Sequence, residues 1–405
     1  MEGFAVPVRR RLASRRAVRP TLVLLLLLSA VVGCASTSQD TPKDGAPATT
    51  RGPVTTVTDV LGRRVDVPVP ASRILLDGAR MLYTTALLNP PDPAAGIVGW
   101  PDDLKQNDPD TWRAYLAAFP AMASIPITGQ LYDGSFSIER AVSLHPDVFV
   151  VSAANFPAAQ DAGTIDRLTR LGVPTVVVDY FVEPLRNTVP SVKLMGQLTG
   201  HSDAARRYLD YYHAQIDLVR SRLDAAHPTP TPAFLWRAPG YFDCCSSFAR
   251  SNLGSLVSFA GGDNLADRFL PTRQGALSPE TVLAHNPPVV IATGADWAPG
   301  TPARQGGFVA LGYDEAPEAA QAQLRAIIDR QAGFDRLRAV TDRRTYAVWH
   351  HFYDSPYNGL AVVWFAKWLH PELFADVDPD AMVRELHQRF LPLPARGAFW
   401  TGLPR

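Results

Sequence analysis

The side chains best suited to chemistry crowd the stretch from Trp349 to Tyr357, where His350, His351, Tyr353, Asp354 and Tyr357 lie close together. Imidazole nitrogen and phenolate or carboxylate oxygen are the donors a ferric ion accepts when a chelator leaves coordination positions open. Trp349 and Phe352 add apolar walls for the body of a ligand. The two histidines are neighbours and point to opposite faces of an extended backbone, so one of them is expected to see a cleft. The plainer alternative is that one His caps the following helix while Tyr353 and Tyr357 pack in a core. A secreted metal-dependent hydrolase built on His350 or His351 is the other reading of the pair. The chain has no HExxH, GxSxG or P-loop spacing to support it, so a non-enzymatic role is expected.

Further candidates sit where buried runs end, because in an open α/β sheet the carboxyl ends of the strands face the ligand crevice. Trp100 follows Ile97-Val98, Arg237 follows Ala233 to Trp236, and Asp296-Trp297 follows Val289 to Thr293. Arg80, at a strand-to-helix junction, and Tyr241 complete the set. An arginine such as Arg237 suits carboxylate or catecholate oxygens of an anionic chelate. Asp102, Asp103, Asp108 and Asp110 lack the glycine and bidentate glutamate of a calcium loop and read as solvated turns. Asp376, Asp378 and Asp380 fail the same test, and Asp378-Pro379 reads as a helix start.

These candidates need a frame, and the stretch Ser202 to Ala226 supplies its middle. Ala205, Tyr208, Tyr212, Ile216, Val219 and Leu223 recur at steps of three and four, which places them on one side of a helix of roughly 36 Å. Ser202 is the expected N-cap and His227-Pro228 the stop. On either side the chain repeats a unit: SIERAVSLHPDVFV from Ser137 and SPETVLAHNPPVVI from Ser278 share serine, glutamate, proline and a β-branched run in one register. Runs without polar alternation are expected to be strands covered on both faces. The expected fold is α/β, with two α/β lobes joined by a single long helix and a ligand cleft between them.

The 405 residues and 46% apolar content suffice for two cores. Six arginines precede the apolar run Leu22 to Leu28, and small residues lead to Cys34, the pattern of a secretory signal. That run is too short to span a bilayer. Ser14-Arg15-Arg16 leaves the general and twin-arginine export routes both open. Without residues 1–33, which hold six Arg and one Glu, the formal charge falls from 0 to −5, and no basic patch argues for nucleic acid. Cys244 and Cys245 would be the remaining thiols of an exported chain. A disulfide between neighbours strains their shared peptide, whereas a thiolate metal site wants more ligands; the vicinal disulfide is the expectation kept.

The run TDVLGRRVDVPVPASRILL resembles the amino-terminal signature of substrate-binding proteins for iron chelates, haem and cobalamin, the partners of ABC importers. LHPDVFVV, LTRLGVPTVVVD, AGGDNLA, LSPETVLAHNPPVVI and AVWHHFYDSPYNGLAVVWFAKWLHPELF continue the resemblance from Val54 to about Leu391. Cys34 likewise resembles the cysteine of a bacterial lipobox, which implies a lipid on its sulfur. The resemblance implies a monomeric receptor with no cofactor of its own, anchored to the outer face of the cytoplasmic membrane. It would take a ferric siderophore or related Fe(III) chelate, with haem and cobalamin as alternatives, and deliver it to a permease dimer with a cytoplasmic ATPase. Any iron contact by His350, His351 or Tyr353 would be through that chelate. Glu139 and Glu280 match the glutamates with which each lobe docks on the permease. The boundaries expected are a signal peptide at 1–33, a tether at 34–52, lobes at 53–200 and 227–392 around the helix at 201–226, and a tail at 393–405.

Overall fold

The computed structural model describes residues 52–297 and 307–404. The leader, Cys34 and the tether up to residue 51 lie outside the described residues. The fold opens with the antiparallel hairpin Val54–Thr58 and Arg64–Pro68, turned at Gly62 with φ 77°. Asp59 fixes it in place: its carboxylate accepts from Leu61 N and Arg63 N at 3.0 Å and from Val177 N, in the first sheet, at 3.2 Å.

Two sheets follow, and they have the same plan. The first has four parallel strands in the spatial order Ile97–Gly99, Ile74–Leu76, Val148–Ser152, Thr175–Val178. The second runs Gly262–Asn264, Thr231–Trp236, Val289–Gly294, Thr345–Trp349, again parallel. A fifth strand, Trp400–Gly402, adds antiparallel to its edge. The segment expected as a tail is thus part of the sheet, because Trp400 and its neighbours find backbone partners along Thr345–Trp349.

The repeated unit is visible in the backbone. Ser137 caps the helix Ile138–Ser143 by accepting from Arg140 N, and Ser278 caps Pro279–His285 by accepting from Thr281 N. Both helices are followed by a left-handed residue at the same place in the unit, His145 at φ 46° and Asn286 at φ 42°. Each unit then enters the central strand of its sheet, Val148–Ser152 or Val289–Gly294, with no exposed position along it.

Between the sheets the chain forms the helix Ser202–Ala226. Its start differs from the expected cap: His201 is the N-cap and Ser202 the first helical residue, with no side-chain cap bond. His227, left-handed at φ 45°, ends it. The helix packs against Pro184–Leu198 and Leu82–Leu88 on one side and Asn358–Leu369 on the other. Tyr208, Leu209, Tyr211, Tyr212, Ile216 and Val219 are buried along it. Asn358–Leu369 is apolar nearly all round, as a helix enclosed by protein must be.

Polar bonds register these helices. Tyr208 OH donates to Pro356 O at 2.7 Å, Tyr212 OH donates to Asn358 Oδ1 at 3.0 Å, and Asn358 Nδ2 donates to Thr188 Oγ1 at 2.8 Å and Ser355 O at 3.0 Å. Replacing Asn358 with Leu strands these buried partners together. The expected cost is about 2–4 kcal/mol in denaturant unfolding, and a change under about 0.5 kcal/mol, the size of an ordinary surface substitution, would show that the network does not register the helices.

Candidate ligand cleft

The carboxyl ends of both sheets meet at a cavity of about 490 Å³. From the first lobe it receives Asp77 after Ile74–Leu76, Asn155 after Val148–Ser152, and Tyr180 and Phe181 after Thr175–Val178. From the second it receives Arg237 after Thr231–Trp236, and Tyr353 and Asp354 after Thr345–Trp349. Gln130 and Tyr132 reach it from a loop and Gln274 from the short strand Gln274–Ala276.

Arg237 is the distinctive member. Its backbone N donates to Ser246 O at 2.7 Å, which fixes the turn, and its guanidinium carbon lies 4.2 Å from the Phe242 ring centre and 4.9 Å from that of Phe248. No carboxylate is paired with it among the described residues, and its Nε lacks a hydrogen-bond partner. Burial pulls its pKa below the ordinary arginine value, and only Tyr353 and Tyr241 oppose that. Aromatic faces return about 0.5–2 kcal/mol to such a cation, less than the several kcal/mol that losing water costs it. An anionic ligand group would make up the difference. The loop beyond it carries the Cys244–Cys245 disulfide, and Cys245 N and O bond Leu277 O and N.

Arg80 lines the same cavity but is taken up by the protein. Its Nε is 2.8 Å from Asp103 Oδ2, and its Nη1 donates to Tyr353 OH and to Asp354 Oδ2 across the cleft. Burial opposes its charge, but Asp354, Tyr353 and Asp103 outweigh this and hold its pKa well above the usual value. The same guanidinium lowers the Tyr353 phenol, which burial nevertheless keeps at about 12.

The histidines are absorbed as well. Thr293 Oγ1 accepts from Ala238 N at 2.8 Å and lies within hydrogen-bond distance, 2.7 Å, of His350 Nδ1. Burial drives His350 well below the usual imidazole pKa and keeps it neutral. His351 is also buried, with Nε2 3.0 Å from Asn107 O in the opposite lobe. Tyr357 OH donates to Tyr83 O at 2.8 Å, again across the seam. The stretch expected to hold a ligand is therefore mostly the joint between the lobes. Only Tyr353 and Asp354 of its five candidates reach the cavity.

Other candidates fall elsewhere. Trp100 is 1% exposed and packs edge-on against Trp112 in the first lobe. Tyr241 and Trp297 meet with ring centres 4.7 Å apart and planes tilted by 43° in a separate cluster with Phe242 and Phe308. Asp103, Asp108 and Asp110, expected as solvated turns, are buried. Burial and the neighbouring Asp110 push the Asp108 carboxyl well up, and Tyr83 OH donates to it at 2.5 Å. Asp77, Tyr180 and Phe181 were reachable from the strand-end rule that singled out Arg237. Asp179 sets Phe181 in place by accepting from the amides of Phe181 at 2.9 Å and Val182 at 2.6 Å. Glu139 and Glu280 are exposed at equivalent first-turn positions of their helices.

The chain belongs to the periplasmic binding protein family, whose model matches residues 96–340. Such proteins are extracytoplasmic binding components that deliver ligands to ABC permeases, and they are not enzymes. The chain is similar to the TroA-like periplasmic binding protein FepB from Veillonella parvula, at 26% identity and TM-score 0.79, covering 87% of this chain and 100% of that one. It shares its fold with the molybdate-binding protein MolA of Haemophilus influenzae, at 18% identity and TM-score 0.61 over 85% of this chain and 99% of that one. It does so too with Helicobacter pylori CeuE in a nickel and histidine complex, at 16% identity and TM-score 0.59 over 84% and 96%. No curated protein sequence matches.

Asp77 offers a test of the cleft's electrostatics. Burial raises its carboxyl to about 6, against bonds from Ser152 and Asn155 that lower it and with Asp103 raising it further. A carboxyl raised in the native state adds stability that is full below its unfolded pKa and is lost as the pH climbs through about 6. Relative to Asp77→Asn, the wild type is expected to lose about 2–3 kcal/mol between pH 4 and pH 7. Parallel stability curves would contradict the raised value.

Proposed function

We propose that the protein is a lipid-anchored receptor on the outer face of the cytoplasmic membrane that captures a ferric siderophore or related iron chelate in this cleft. It then passes the chelate to a permease dimer driven by a cytoplasmic ATPase. The observation that carries the reading is Arg237: a half-buried guanidinium between Phe242 and Phe248, facing a cavity and lacking a carboxylate of its own among the described residues. Oxygen-rich chelates supply both the acceptor that this cation wants and the apolar body that Phe181, Tyr180 and Tyr353 would cover. The iron is cargo, held by its chelator, and the protein works as a monomer.

On this reading Cys34 carries the lipid, the residues after it are a tether, and the lobes on either side of Ser202–Ala226 hold the guest between them. Glu139 and Glu280, exposed at matching points of the two lobes, present one carboxylate each to the two permease subunits.

Titrating the purified protein with ferric chelates, haemin and cobalamin, followed by tryptophan fluorescence, tests the ligand. Saturable quenching by a ferric chelate is expected, and Arg237→Gln is expected to weaken it roughly ten- to hundred-fold, the worth of one hydrogen bond to a charged group. A response to haemin or cobalamin alone would overturn the iron-chelate assignment. Glu139→Ala and Glu280→Ala together are expected to leave binding intact and abolish uptake into cells. Loss of binding in that pair would refute docking.

A further inference from the structure

The charge pattern of the cleft says more about the guest than that it contains iron. Five carboxyl and guanidinium side chains line the cavity among the described residues: Asp77, Arg80, Asp103, Arg237 and Asp354. Two arginines face three aspartates, a formal charge of −1. The distribution is uneven. Arg80 is bracketed by Asp103 and Asp354, so that group is already negative as a whole. Asp77 stands on the first-lobe wall with no cation bonded to it; its oxygens accept from Ser152 N at 3.0 Å, Ser152 Oγ at 2.9 Å and Asn155 Nδ2 at 3.0 Å. Arg237, on the second-lobe wall, is the lining cation with no carboxylate partner among the described residues.

We infer that the guest is a ferric chelate of zero or positive net charge, of the tris-hydroxamate type with a free ammonium, and not a polyanionic tris-catecholate. Resting on the iron-chelate reading above, the inference assigns the two walls different tasks: Arg237 takes one oxygen-bearing edge of the chelate, and Asp77 faces its cationic or N–H-bearing end. A trianionic complex would satisfy Arg237 with one edge and press its remaining charge against Asp77 and the Asp103–Arg80–Asp354 group. Like charges brought together in a cleft of reduced dielectric cost far more than they do in water. The raised Asp77 carboxyl, at about 6, is still mostly ionised at neutral pH and would be pulled further towards the charged form by an ammonium beside it.

The experiment compares two iron-loaded probes on the purified protein at low and high salt: a ferric tris-hydroxamate with a pendant ammonium, which is monocationic, and a trianionic ferric tris-catecholate. The expected result is tighter binding of the cationic probe by at least about tenfold at low salt, with the ratio shrinking as salt screens the charges. Asp77→Asn should cut the ratio further, by lowering affinity for the cationic probe while relieving the anionic one. The salt dependence of the wild type carries the test even if that variant fails to fold. Equal or tighter binding of the trianionic probe overturns the inference and leaves the iron-chelate reading standing. If neither probe binds and haemin or cobalamin does, the iron-chelate reading itself has failed, and this inference falls with it.

Discussion

Arg80 holds the cleft in its present form. It sits at the end of Ile74–Leu76 in one lobe and reaches Tyr353 and Asp354 in the other, with Asp103 bonded to its far side. Removing one partner from so buried an ion pair costs about 3–5 kcal/mol, because the charges left behind have lost both water and counter-ion. Around it run further bonds across the seam, from Asn252 Nδ2 to Phe181 O at 2.6 Å, from His351 to Asn107 O, and from Tyr357 to Tyr83 O. The lobes are thereby joined by side-chain bonds across the seam as well as along the long helix.

That arrangement divides the labour between the two arginines that line the cavity. Arg80 spends its Nε and Nη1 on the protein, so the shape of the cleft depends on it; Arg237 has no carboxylate of its own among the described residues, and on the proposed reading it serves the guest. The pseudo-symmetric plan makes this division possible. Both sheets turn their carboxyl ends to the same space, and corresponding strand ends deliver Asp77 from one lobe and Arg237 from the other.

Much of the frame was legible from residue spacing. The helix Ser202–Ala226 was readable because its apolar positions keep a single period, and the two repeated units because serine, glutamate, proline and a β-branched run recur in one register. The site was less so. His350 and His351 have side chains fit for metal chemistry, but the fold uses them for Thr293 and Asn107, partners far away in sequence. Asp103 and Asp108 read as solvated because their local stretch is polar, whereas their partners Arg80 and Tyr83 come from the earlier helical segment Ala79 to Leu88. Local chemistry identifies which groups can act; only the folded contacts tell which are already engaged. Arg237 was legible because its place at a strand end is local, but its want of a carboxylate was not.

On the proposed reading an iron complex sits between the two lobes against Arg237. Anomalous scattering at the iron edge, from crystals of the protein grown with a ferric hydroxamate chelate, tests it most directly. The account predicts a single strong iron peak inside the cavity, between Asp77 and Arg237, with a chelator oxygen on the guanidinium. An ordered iron peak outside the cleft, or a chelate bound in it with Arg237 turned away, would contradict the account.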